Sequence, residues 1–347
     1  MFDEEEEALA RINEILLDEN LKSSEHYESI KQFADQFYKI LRQTKKLVRI
    51  SDNQQKIINE NNEKLTQLTE DLSREQVLSQ KLLLNILPAK VAEELKMMGQ
   101  ARPVLFKSAT VLFTDFKGFT KSSELLTPNE LISELDQYFT FFDEAISLFR
   151  LEKLKTIGDS YMCAGGIPIQ TKTHAVDCTL AALHFQKFMK TQSESKKGTG
   201  REAWEIRLGI HTGPVIAGVV GKKKFAYDIW GDTVNIASRM ESSGEPGRVN
   251  ISKDTYESIK DFFDCTSRGQ IEAKNKGSID MFFVDKVKED LLDESGKIND
   301  KFEFLYNQIK ETEATETKPF VERRKNLPDN RDQPTERRNN LFKYLSI

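Results

Sequence analysis

Residues 1–87 contain neither glycine nor proline, and that constrains the chain more than any other feature. Glycine loosens a helix through backbone entropy and proline breaks it through its missing N–H. A stretch this long without either reads as helix. Across the chain, 17 Gly and 9 Pro in 347 residues are about 7%, against about 12% in average usage. That excludes a collagen-like or loop-rich chain. A 3-4 spacing runs through Leu47, Ser51, Gln54, Ile58, Asn61, Leu65, Leu68, Leu72, Glu75, Ser79, Leu82 and Ile86. Several heptads on this frame satisfy the coiled-coil template, and Asn61 at a core position is a device for fixing register and oligomer state. Glu75 and Ser79 weaken the seam where Val77 and Leu78 offer another frame, which suits a helix that changes state. Residues 46–87 are therefore expected to form a parallel coiled-coil signalling helix. Residues 1–45 repeat apolar side chains at helical spacing (Leu9, Ile12, Ile15, Leu16, then Ile30, Phe33, Phe37, Ile40, Leu41) and predict a helical hairpin or bundle, a possible surface for a regulatory partner. Pro88 interrupts the pattern, and a short amphipathic piece, Val91 to Met98, ends at Gly99. Residues 88–104 are read as a connector.

Charge narrows the function classes. The chain carries 51 Lys+Arg against 56 Asp+Glu, a net −5, which gives no general attraction to nucleic acid. No run approaches the ~18 apolar residues that span a bilayer. Met1 to Glu7 is acidic where a signal peptide would be basic and then apolar. Cys163, Cys178 and Cys265 are too far apart for a disulfide framework or a zinc pattern. A soluble, reducing, cytoplasmic setting is expected.

Residues 105–287 alternate strand and helix. Ala109 to Thr114 reads as a buried strand. Thr127-Pro128-Asn129-Glu130 is a capping box with proline at the first helical position, opening a helix toward Phe149. Lys153 to Ala164 reads as two strands about a turn at Gly158-Asp159, and His174 to Met189 as a helix followed by a polar loop from Ser193 to Gly200. Ile206–Ile210 and Val215–Val219 read as two strands joined at Thr212-Gly213-Pro214. Asp232 begins a helix to about Ser242, and late strands are expected at Arg248–Ile251 and Met281–Val284. Mixed order without a Gly-x-Gly-x-x-Gly opening argues for an α+β sandwich over a dinucleotide fold. Residues 288–347 hold one helical stretch, Ile298 to Ile309. Two arginine-rich hexamers follow, Glu322–Leu327 and Glu336–Leu341, read as a solvated, flexible tail.

Three stretches carry chemistry. In Val111-Leu112-Phe113-Thr114-Asp115-Phe116-Lys117-Gly118-Phe119-Thr120, an apolar strand delivers one carboxylate and enters a turn whose N–H groups can hold phosphate oxygens. In Thr156-Ile157-Gly158-Asp159-Ser160-Tyr161, a hairpin tip carries a second carboxylate. Two such aspartates can share hard divalent ions, which take a few carboxylates plus substrate phosphates. Singly, an Asp after a strand is more often a turn or cap residue. In Tyr227-Asp228-Ile229-Trp230-Gly231-Asp232 through Arg239, Asn235 and Arg239 are four apart on one helix face. An amide beside a guanidinium suits ribose or phosphate contact, or an ordinary exposed face.

In this order the three stretches closely resemble the catalytic domain of class III nucleotidyl cyclases, over about Leu105 to Val287, and Leu84–Ala92 resembles the family's connector. The resemblance implies an α/β sandwich with a ferredoxin-like core that converts a nucleoside triphosphate to its 3′,5′-cyclic monophosphate and pyrophosphate. It implies Asp115 and Asp159 as ligands of two Mg²⁺ or Mn²⁺ ions, with the Phe116 backbone a further candidate, and Gly118, Phe119 and Thr120 near the phosphates. Asn235 would orient the ribose, Arg239 would stabilise charge at the α-phosphate, and Lys274 would meet the phosphates, with Lys276 competing for that role. Lys155 and Asp228 match the base-reading pair of adenylyl cyclases. Lys155 can donate to adenine N1 and Asp228 can accept from N6, whereas guanine reverses both and leaves like groups facing each other. ATP is the expected substrate, with GTP, or a silent regulatory dimer, as the alternatives. In the family the site lies between two domains, so a head-to-tail homodimer is expected. His211 resembles a structural position, the Lys222-Lys223-Lys224 run reads as a solvated loop, and Cys163 as a small strand residue.

Overall fold

The computed structural model describes residues 2–119, 123–124, 126–196, 204–221, 224–273 and 277–316. Thr120, Lys222, Lys223, Lys274, Lys276, the end of the Ser193–Gly200 segment and both arginine hexamers lie outside the described residues. The chain divides into two compact units, Met1–Leu82 and Leu83–Ile347.

The first unit is helical. Helix α1 (Asp3–Leu16) and the single turn α2 (Glu19–Lys22) precede α3, which runs Tyr27–Leu84 without a break. The sequence boundary placed at residue 45 is therefore interior to one helix. α1 returns along α3: Glu6 pairs with Lys45, whose ammonium also lies over the Phe2 ring. Ala34 and Leu41 are buried. Farther along α3 the predicted seam residues Leu47, Ile58, Leu65, Leu68, Leu72 and Leu82 are all at least half exposed.

The second unit opens with α4 (Ala89–Met98), which begins behind Pro88 and ends on Gly99 in the left-handed conformation, φ 71°. Only a residue without Cβ adopts that ending cheaply. Ile86 falls in the break before α4, outside the helix. Eight strands form one sheet: β1 (Val104–Phe116), β2 (Glu152–Ile157), β3 (Ser160–Gly165), β4 (Ile206–Val220), β5 (Ala226–Trp230), β6 (Val249–Ser252), β7 (Phe263–Ala273) and β8 (Gly277–Val287). Their order is β2-β3-β1-β4-β6-β8-β7, with β5 paired to β4. Among the described residues the unit also holds helices α5 (Pro128–Leu148), α6 (His174–Lys196), α7 (Asp232–Ser242), α8 (Lys253–Ile259) and α9 (Asp300–Glu316) and a 3-10 turn, Glu289–Leu291. The capping box at the start of α5 is formed as its sequence predicts, Thr127 accepting from the Glu130 backbone N–H and Glu130 from that of Thr127.

Alternation along β1 divides the core. Leu112 and Phe116 face a large cluster with α5, α6 and α9, while Ala109, Val111 and Phe113 face a smaller one with Leu87, Val91, Tyr227, Ile229 and Ala237. The connector is thus part of the second cluster.

Two predictions fail in detail. The expected turn at Thr212-Gly213-Pro214 is not a turn: β4 continues through it for 15 residues. Proline cannot donate to a ladder, and the partner strand compensates. Phe106 pairs with Val215 and Ala109 with Gly213, so Lys107 and Ser108 together oppose Pro214 in a β-bulge. Strands β5 and β7 also went unpredicted, being short or polar.

Candidate active site

Asp115 lies on the smaller-cluster face of β1, in step with Val111 and Phe113. Asp115 follows Phe113 by two on β1 and faces Arg207 of β4 directly across the ladder. One Asp115 oxygen accepts from the Ser160 hydroxyl at 2.8 Å and the other from Arg207 Nη2 at 2.6 Å. Asp159 stands at the β2–β3 turn after Gly158, whose φ of 63° needs glycine. Its carboxyl is raised above the ordinary range by burial and then by the charge of Asp115, against backbone hydrogen bonds from its own residue and Phe116 and the charge of Arg207. A carboxyl raised by a neighbouring carboxylate marks two acidic groups held close together, the chemistry of a divalent-cation site. The residues present therefore fit Mg²⁺ or Mn²⁺.

Phe116 contributes its backbone here. Its ring is 2% exposed and packs on Trp204 and Tyr138, with centroids 5.1 and 5.4 Å away. Phe119 packs edge-on to Trp204 at 5.4 Å, and Gly118 takes a φ of 70° in the turn between them.

Lys155 and Asp228 form a direct ion pair. They meet because of two departures from regular strands. Lys153 pairs with Cys163 and Lys155 with Met162, leaving Leu154 as an extra residue in β2. Strict alternation would put both lysines on one face. With the bulge, Lys153 reaches Asp143 of α5 at 2.7 Å, while Lys155 joins Leu154 on the opposite face and reaches Asp228 of β5. The second departure is curvature. Through Met162 and Phe113, Lys155 shares the register of Gly209, whereas Asp228 pairs with Gly218, nine residues along β4. A straight strand would separate those positions by about 30 Å. The β1–β4 ribbon bends instead, and its bulge opposite Pro214 is the kind of feature that bends strands.

Asn235 and Arg239 lie on α7, exposed and half-buried respectively. The helix is pressed onto β4. Thr233 donates to the Pro214 carbonyl at 2.7 Å. A Cβ at Gly209 would stand 1.9 Å from the Glu241 backbone nitrogen.

Sequence reasoning missed Ser160, Arg207 and Glu241. Arg207 was detectable as a lone charge between Ile206 and Leu208, but its partners are strands away. His211 is buried, with Nδ1 2.6 Å from the Ser252 hydroxyl, and Cys163 is fully buried in β3, as expected of structural residues. No described group of three or more His, Cys, Asp or Glu residues forms a cluster of metal ligands, and no described helix is long and apolar enough to cross a membrane.

Comparison with known proteins yields a consistent set. Residues 103–286 match the family model described as adenylate and guanylate cyclase catalytic domain. An adenylate cyclase of Mycobacterium tuberculosis is 39% identical over 209 residues, 59% of this chain and 46% of the relative. The guanylate cyclase soluble subunit beta-2 of Rattus norvegicus is 37% identical over 223 residues, 64% of this chain and 32% of the relative. The chain thus spans less than half the length of these curated relatives. Among solved structures, the adenylyl cyclase CyaB from P. aeruginosa superposes with a TM-score of 0.52 at 32% identity, covering 55% of this chain and 99% of that one. The guanylate cyclase domain of RhGC from Catenaria anguillulae, in complex with GTP, gives 0.51 at 34%, covering 53% and 100%.

Proposed function

Since this chain belongs to the adenylate and guanylate cyclase catalytic-domain family, we propose that it is an adenylyl cyclase, forming 3′,5′-cyclic AMP and pyrophosphate from ATP in a homodimer. The observation that carries the choice of purine is the Lys155–Asp228 pair. A cation and an anion side by side offer a donor to adenine N1 and an acceptor to N6; guanine presents the reverse pattern and would leave both unpaired, which costs more than a weak contact would.

Asp115 and Asp159 hold the divalent ions. Bound between these carboxylates, such ions would supply charge neutralisation for the triphosphate and a lowered proton affinity for the ribose 3′-hydroxyl. Asn235 orients the ribose, and Arg239 stabilises the charge that develops at phosphorus. Lys274 is assigned to the phosphates by resemblance alone. Each chain carries one copy of each group, so two head-to-tail chains would hold two composite sites, the carboxylates from one copy and the base-reading and α7 groups from the other. The exposed leucines along α3 support a parallel coiled coil that tethers the two copies.

The test is purified protein with Mg²⁺ or Mn²⁺, supplied in parallel with ATP and GTP. Cyclic AMP should dominate, Asp115→Ala should lower turnover by about 100-fold or more, and Lys155→Glu with Asp228→Cys should move preference toward GTP. Cyclic GMP as the main product of the unaltered protein would overturn the base assignment. No cyclic product from either nucleotide would favour a regulatory module.

A further inference from the structure

Helix α3 changes character along its length. The 3-4 frame of the coiled coil runs back from Leu47 through Thr44 to Ile40, Phe37, Phe33 and Ile30. Over this stretch the residue that follows every second core position is apolar as well: Ala34, Leu41 and Val48. From Gln55 to Gln76 the same positions are polar. Three apolar positions per heptad make the wide face of a bundle helix, and two make the narrow seam of a coiled coil. The wide stretch matches the reach of α1, whose first residues, Phe2 and Glu6, meet Lys45. At about 100° per residue, the wide face resolves into two stripes a quarter-turn apart. On one, which Lys45 shares, Ala34 and Leu41 are buried. The other is bare, with Phe33 61% and Ile40 60% exposed. A helix with two such stripes has two neighbours, as each helix of a four-helix bundle has, and one chain supplies a single neighbour, α1. The hairpin is thinly held without the second. None of the 14 residues of α1 is buried, and only Ala34 and Leu41 are buried among the 58 of α3, although helices draw most of their stability from packing an apolar face.

We infer that the α1–α3 hairpin is half of a four-helix bundle, completed by the hairpin of a second copy of this chain and continuous with the coiled coil that follows. The occupant is set by register. The bare stripe lies on the frame of Leu65, Leu68 and Leu72 with no residue inserted or missing between them. A second copy paired along those leucines is carried onto the stripe, where each residue meets its own counterpart. A partner of different sequence would have to end one seam and start another within the same helix, and such changes leave a shift in the frame. The bundle rests on the parallel coiled coil of the proposed homodimer. It assigns this stripe of the N-terminal helices to self-association, with the seam starting at Ile30.

The test is disulfide capture between full chains carrying Cys265→Ser, since Cys163 and Cys178 are fully buried. Ile40 and Leu68 hold equivalent core positions of their heptads, whereas Lys39 is exposed on the opposite side of α3. Under mild oxidation, read on a non-reducing gel, Ile40→Cys should form a covalent dimer as readily as Leu68→Cys. Both should react about tenfold or more faster than Lys39→Cys, because only core pairs bring Cβ atoms within disulfide reach. Ile40 is exposed in the single chain, so replacing it leaves one chain's fold intact. Capture at Leu68 without capture at Ile40 overturns the bundle, leaves the coiled coil standing and hands the stripe to a different partner. Capture at neither position overturns the coiled coil and the bundle with it. A second measurement follows α1 in the full-length dimer. Ile40→Glu should speed amide exchange in α1 about tenfold or more, because the completed bundle is what protects that helix. Unchanged exchange in α1 would reduce the assembly to a two-stranded coil and overturn the bundle.

Discussion

A Cβ at Gly209 would overlap the Glu241 backbone nitrogen at 1.9 Å, and one at Gly213 would meet the Thr233 hydroxyl at 2.6 Å. These two glycines, four apart on one face of β4, let α7 lie against bare backbone. The closeness sets the height of Glu241 beside Arg207 and of Asn235 and Arg239 above the sheet. Gly209→Ala cannot be absorbed by a rotamer change, because the obstacle is backbone. It should cost about 3 kcal/mol or more, seen as a lower midpoint in urea or heat, with whatever activity survives reduced further than stability explains. In the sequence, Gly209 is one glycine in an apolar strand, and nothing local shows that a helix lands on it.

The elements that local chemistry decides were legible. Thr127, Pro128 and Glu130 specify the start of α5 within four residues, and Pro88 and Gly99 bracket α4. β4 was misread because the answer to Pro214 sits on another strand, where Lys107 and Ser108 make room for it. The bulge at Leu154 is hidden for the same reason. Without it Lys155 would be placed beside Lys153, away from Asp228. The role of α9 was equally invisible. Its Tyr306 donates to Asp177 of α6 at 2.6 Å, and Thr173 and Arg150 contact the same carboxyl. Burial pushes the Asp177 carboxyl up to about 6, against the lowering pull of Arg150 and these donors. Tyr306→Phe deletes a hydrogen bond to a buried acid and should cost about 1–3 kcal/mol. Faster amide exchange along α9 than along β4 would locate the loss at this helix; uniform loss across the unit would contradict a local latch.

At the scale of the molecule, the proposed arrangement divides one reaction between two copies. Asp159→Asn and Lys155→Ala should each be inactive alone. When the two are mixed and allowed to exchange partners, each mixed dimer regains one intact site, and random pairing restores roughly a quarter of the unaltered activity. Failure to recover any turnover, with mixed dimers verified by mass, would mean that each chain builds its site from its own residues. The family and the α+β sandwich could be read from three short motifs because metal, phosphate and base recognition each demand particular side chains in order. The Arg207–Glu241 pair could not, since its partners lie on different elements and leave no local motif.

The bend in the β1–β4 ribbon carries a consequence for substrate choice. The proposed base-reading pair comes from positions nine register steps apart along β4, and the two side chains meet through the curvature of that strand together with the surplus residue at Leu154 of β2. On the proposed reading, selectivity for the nucleobase is partly written in the path of the main chain. Exchanging the two letters in a relative whose ribbon is straighter would transfer the alphabet but not the grammar.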